Sequence, residues 1–222
     1  RGEIARGDSI FHYLQGTKEE ILKIENILKD NKWQVTPYMG KNGTEESFLD
    51  MHGKSPRLLH VATHGFYFTP NNAENVDYLK GYTDAMSLSG LVLSGGNAAW
   101  LGKPLPKGVL GGILSANDIA RLDLSNTDMV VLSACQTGQG KVTAEGVFGL
   151  QRAFKKAGVG TIIMSLWKVD DKVTSEFMTI FYERFADKDN NWNKRKAFEE
   201  AKEIIRQKHP DPYYWAAFVM LD

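Results

Sequence analysis

Short apolar runs alternate with stretches of helical spacing along this chain. Met129-Val130-Val131-Leu132 is a continuous apolar run with adjacent valines, the pattern of a strand buried on both faces of a parallel sheet. Leu58-Leu59-His60-Val61-Ala62-Thr63-His64 and Thr161-Ile162-Ile163-Met164-Ser165-Leu166-Trp167 have the same character. Ile10 to Leu14, Trp33 to Thr36 and the aromatic Tyr213 to Leu221 read as further strands. Between them Ile21, Ile24, Ile27 and Leu28 recur at helical spacing, and Thr17 with Glu20 has the spacing of a capping box that starts that helix. Thr44-Glu45-Glu46-Ser47-Phe48 predicts a second capped helix ending near Gly53, and Ser115 predicts a cap for a short one over Leu114 to Ala120. Val147, Leu150, Phe154 and Ala157 mark one face of a helix from about Thr143 to Lys156, stopped by Gly158. Helical spacing returns with Phe177, Ile180, Phe181 and Phe185, and again with Phe198, Ala201 and Ile205.

This alternation predicts an α/β fold, a mostly parallel sheet of about six strands with helices on both faces, forming one domain over residues 1–222. Between Phe66 and Gly112 the pattern gives way to Asn, Gly and Pro, broken by Ser89 to Ser94 as one strand of a hairpin. Insertions of this length in compact domains usually carry function or are disordered.

Composition narrows the function classes. Basic and acidic residues number 27 each, so no general attraction to nucleic acid or an anionic membrane is expected. No run approaches the roughly 18 apolar residues of a membrane span, and the N-terminus lacks a signal-peptide core. The single cysteine excludes an internal disulfide and fits a reducing compartment, so a cytoplasmic location is expected. The five histidines are scattered, and neither a metal site nor a cofactor is expected. The chain begins at Arg1 rather than methionine, which suggests a fragment of something longer.

The candidate chemistry lies at two strand ends. The apolar run at Met129 leads through Ser133 and Ala134 into Cys135, followed by Gly138 and Gly140; the run at Leu58 leads into His64, followed by Gly65. In open parallel sheets ligands bind beyond the carboxyl ends of the strands. A thiol titrates near pH 8.5 until a neighbouring imidazole or helix N-terminus lowers its pKa, and the imidazole can then serve a leaving amine. The N–H groups of Gly65 and Cys135 are candidates for holding an oxyanion. Taken singly, a lone cysteine is a common core residue and His64 an ordinary turn residue; their paired placement beside glycines favours a site. Gly138-Gln139-Gly140-Lys141-Val142-Thr143 fails the phosphate-loop pattern, since position 135 is Cys and the Thr comes one residue late. The Gly-x-Ser-x-Gly elbow of serine hydrolases does not occur.

Five blocks together resemble the CHAT domain: Ala62-Thr63-His64-Gly65; Leu132-Ser133-Ala134-Cys135-Gln136-Thr137-Gly138; Glu145-Gly146-Val147 with Arg152-Ala153-Phe154; Ser165-Leu166-Trp167-Lys168-Val169-Asp170-Asp171; and Tyr213-Tyr214-Trp215-Ala216-Ala217-Phe218. That family is a caspase-like, separase-related group of bacterial and archaeal proteins in clan CD, often joined to tetratricopeptide repeats. The resemblance implies the three-layer αβα caspase-haemoglobinase fold and a cysteine endopeptidase with a His64–Cys135 dyad. It also implies a protein or peptide substrate, with an upstream repeat region or activating protein as a further partner. The stretch Leu166 to Asp171 resembles the separase segment whose acid receives a basic residue, so Asp170 or Asp171, with Ser165 and Trp167 beside them, would bind Arg or Lys at the cleaved position. Both aspartates also suit the cap of a helix beginning near Val173, and Trp167 also suits the core. Two other functions fit the same residues: a catalytically idle interaction domain, and a thiol hydrolase acting on a non-peptide substrate. Asp123 and Glu145 are candidates for a third catalytic residue.

Overall fold

The computed structural model describes residues 11–12, 14–68, 77–133 and 144–222. In chain order the strands are β1 (Leu58–Val61), β2 (His64–Tyr67), β3 (Ser89–Val92), β4 (Ile113–Ser115), β5 (Met129–Leu132), β6 (Thr161–Ser165) and β7 (Phe218–Leu221). The helices are α1 (Gln15–Asp30), α2 (Glu45–Leu49), α3 (Gly96–Trp100), α4 (Ala116–Ile119), α5 (Ala144–Lys156), α6 (Asp171–Ala186), α7 (Lys194–Lys208) and α8 (Pro212–Trp215).

The central sheet has the order β1-β5-β6-β7, with β1, β5 and β6 parallel and β7 antiparallel at the edge. Both of its faces are covered. Met129, Val131 and Ile163 point into a core shared with α1, α6 and α7, including Ile24, Leu28, Phe177, Phe181 and Phe198. Val130, Leu132, Ile162 and Met164 point the other way, onto Phe48 of α2, Ile119 of α4 and Phe154 of α5. The two-residue alternation of a strand thus feeds two cores, which is why the runs at β5 and β6 are apolar throughout. This is the three-layer αβα arrangement.

The strands outside that sheet form a second, antiparallel one, β2-β3-β4, over a third core of Phe66, Phe68, Leu88, Trp100 and Ile113. The run from Arg57 to Gly65 is therefore two strands. The chain leaves the central sheet after Val61, and the Thr63 hydroxyl donates to the carbonyl of Val92, turning the chain so that His64 opens β2 opposite Val92. Gly90 makes this sheet possible: a Cβ there would lie 2.5 Å from the Leu114 carbonyl oxygen and 2.8 Å from the Phe66 ring.

Several expected elements differ. Phe11, His12 and Leu14 form no strand, and α1 starts at Gln15 with Leu14 as its uncapped N-terminal neighbour. Thr17 lies inside the helix and donates to the Leu14 carbonyl at 2.7 Å instead of capping Glu20. Trp33 to Thr36 carries no ladder, because it faces an open groove beside β1 rather than a neighbouring strand. Tyr213 to Trp215 is a helical turn, since Asp211 caps Tyr213 N–H at 2.9 Å and Pro212 suits a first helical position; only Phe218 onward is strand. The caps at Thr44 and Ser115 hold as expected, Ser115 in a reciprocal box with Asp118.

Replacing Gly90 by Ala should lower stability by about 1–3 kcal/mol, as overpacking a tight site does. Urea unfolding at neutral pH checks it; unchanged stability would mean that the β2-β3-β4 contact is looser than described.

Candidate active site

His64 is held from three directions. Its backbone is in register with Val92, its ring packs on Phe11 at 5.6 Å between centroids, and its Nε2–H donates to the carbonyl of His12 at 2.5 Å. The N-terminal segment that supplies this carbonyl is itself clamped. Asn97 of α3 accepts from the Phe11 N–H at 2.9 Å and donates to the Phe11 carbonyl at 2.8 Å, while Trp100 meets the Phe11 ring edge-on at 5.1 Å. A carbonyl only accepts, so the proton of His64 sits on Nε2 in this arrangement. His64 is nine-tenths buried, and the Phe66 to Gly112 stretch thus contributes the clamp that orients it.

Cys135 lies outside the described residues, as do the Gly138 and Gly140 that follow it, and the side chain of Glu145 is likewise undescribed. The description of its strand ends at Ser133, whose N–H donates to the Val61 carbonyl at 2.9 Å and so extends the β1–β5 ladder by one bond. His64 comes three residues after Val61, and Cys135 two after Ser133. Both follow the carboxyl ends of adjacent parallel strands. Gly65 is buried opposite Leu91 in β2.

The four residues expected to bind substrate have different partners. Asp170 is the N-cap of α6, its carboxylate accepting from Lys172 N–H at 2.9 Å and Val173 N–H at 3.4 Å. Trp167 donates its indole N–H to the Tyr213 carbonyl at 2.9 Å and packs on the α6/α7 core. Ser165 ends β6 opposite Phe218. Asp171 alone turns to a small cavity beside Ser133. Asp123 lies before the amino end of β5, whereas His64 follows the carboxyl end of the parallel β1; the Asp123 carboxylate accepts from the Ser125 hydroxyl and N–H, which hold its pKa below the usual carboxylate value.

The pattern of the CHAT domain family matches residues 5–222. The chain belongs to the CHAT domain family. This places it in a caspase-like, peptidase-related group. Over 111 residues, 49% of the chain, it is 32% identical to tetratricopeptide repeat protein 28 of Homo sapiens, and equally to that of Mus musculus. The match spans 4% of the length of either relative.

This CHAT domain also contains a buried polar cluster that pattern reasoning missed. His60, between Leu59 and Val61 on β1, faces the α1/α6 layer, where its Nε2–H donates to the Glu20 carboxylate at 2.8 Å and its Nδ1 meets the Tyr182 hydroxyl at 3.0 Å. Glu20 and Tyr182 are almost wholly buried. Burial, followed by the nearby Glu20 charge, pushes the Tyr182 pKa well above its usual value, so the phenol keeps its proton and can donate it to Nδ1. The available signal was a histidine at a core-facing position of an apolar strand, and a Glu20 that would otherwise be an unexplained acid on the buried face of α1.

Removing the imidazole by His60→Ala should strand the Glu20 charge and lower stability by about 3–5 kcal/mol at pH 7. Chemical unfolding of the variant measures this; a loss under about 1 kcal/mol would show that Glu20 finds another partner or water.

Proposed function

We propose that this domain is a cysteine endopeptidase that cleaves a protein or peptide after a basic residue. The observation that carries the reading is the bond between Ser133 N–H and the Val61 carbonyl at 2.9 Å, which ties together the two strand ends from which His64 and Cys135 follow. The thiolate of Cys135 attacks the peptide carbonyl, and the N–H groups of Gly65 and Cys135 hold the resulting oxyanion. Imidazolium at His64 gives its proton to the departing amine, leaving a thioester. Water, losing a proton to the imidazole, hydrolyses that thioester and frees the new carboxyl end and the thiol. Asp171, the one expected acid that lines a cavity by Ser133, favours Arg or Lys at the cleaved position.

The relatives that match are tetratricopeptide repeat proteins. A repeat region in a longer polypeptide is therefore the partner proposed to present the substrate or the activating signal. Work in a reducing compartment, the cytoplasm, keeps the single thiol free for this chemistry.

A mixed peptide library read by mass spectrometry tests the reading, with Cys135→Ala and His64→Ala in parallel and a panel of small esters beside it. New ends after Arg or Lys should fall by at least about 10³-fold in both variants. Cleavage that survives Cys135→Ala would overturn the proposal, and turnover of esters without peptides would make the domain a thiol hydrolase on other substrates.

A further inference from the structure

The small cavity at Asp171 has a second carboxylate in it. Its walls come from α1, the end of β5 and the first turn of α6, and they include Thr17, Glu20, Ser133, Asp171 and Thr174. Glu20, Ser133 and Thr174 are each more than nine-tenths buried, whereas Asp171 is exposed at the mouth. Among the described residues the lining holds two carboxylates, three hydroxyls and no cationic side chain. The Thr17 hydroxyl is spent on the Leu14 carbonyl. The Thr174 hydroxyl, wholly buried, has no hydrogen-bond partner among the described residues. An unmet hydroxyl in a buried polar void is costly, and a donor placed in that void would satisfy it.

We infer that Glu20 is a specificity-determining residue: with Asp171 at the mouth, it receives the ammonium group of a lysine side chain from a peptide bound at Cys135. Glu20 gives one carboxylate oxygen to His60, and a carboxylate has about four acceptor positions, so capacity remains for an incoming N–H. The ammonium brings three donors, which match Glu20, the Thr174 hydroxyl and Ser133 or Asp171. His60 holds Glu20 and Tyr182 in turn holds His60, so the acid is positioned before substrate arrives. Size decides between the basic side chains. The void is about 20 Å³. The single nitrogen of an ammonium fits, whereas the planar four-atom guanidinium has to displace its walls. Ser133 stands two residues before Cys135 in the sequence, and on the peptidase reading a lysine entering here is the residue whose carbonyl is attacked.

The nature of the ligand rests on the peptidase reading, so the test reads binding apart from cleavage. In Cys135→Ala protein, calorimetric titration compares three acetylated, amidated tripeptides that end in lysine, arginine or norleucine. Lysine should bind at least about tenfold more tightly than norleucine, with arginine between them. Glu20→Gln keeps an acceptor for His60 while removing the charge, and it should erase that preference. Asp171→Asn, at an exposed position where folding is not at stake, should reduce it in part. Equal affinity for lysine and norleucine, or a preference that persists in Glu20→Gln protein of native circular dichroism, overturns the inference. A lysine preference in binding, with no cleavage by wild-type protein under any condition, would sink the peptidase reading and leave the Glu20 site standing.

Discussion

The parallel register of β1 against β5 is the constraint on which the rest depends. Leu58 pairs with Met129 and Val61 with Leu132, so the two strands finish level. A slip of one residue would turn Val130 and Leu132 away from their core and carry the two strand ends apart. Burial holds the register. Each of the four β5 residues is buried, with alternate side chains committed to opposite helical layers. The packing that stabilises the domain thereby sets the distance over which a histidine after one strand and a cysteine after the other can work together.

The molecule then spends polar groups to orient what the register delivers. Asn97 closes both main-chain groups of Phe11, and the adjoining His12 carbonyl fixes the proton of His64 on Nε2. On β1 itself, His60 occupies what would otherwise be an apolar core position and ties α1 to α6 through Glu20 and Tyr182. Two histidines four residues apart on one chain segment thus serve different layers. One is held by the N-terminal segment, and the other braces an acid that lines a small cavity.

Much of the architecture was legible because its signals are local. The runs at β5 and β6, the faces of α5, α6 and α7, and the caps at Thr44 and Ser115 all follow from residues within a few positions of one another. What was not legible depends on distant partners. Trp33 to Thr36 has strand-forming side chains but meets no strand, and Glu20 ignores the nearby Thr17 for a histidine 40 residues away. The Thr63 hydroxyl, bonded to a carbonyl 29 residues on, splits one expected strand into two sheets. At the site, the approach of His64 from the carboxyl end of β1 was readable but its place as the first residue of β2 was not, and neither were the different partners of Asp170 and Asp171. Both suit a helix start, and only the backbone decides which one caps and which one faces a cavity.

The central claim is that His64 and Cys135 act as a pair, and the pH dependence of Cys135 alkylation tests it most directly. An ordinary thiol ionises near pH 8.5, and pairing with an imidazole lowers that value by one or more units. The account predicts a midpoint for iodoacetamide reaction at or below about pH 7.5 in the wild-type chain, returning to about 8.5 in His64→Ala. A midpoint near 8.5 in both proteins would contradict it, since the two strand ends would then lie side by side without their side chains being coupled.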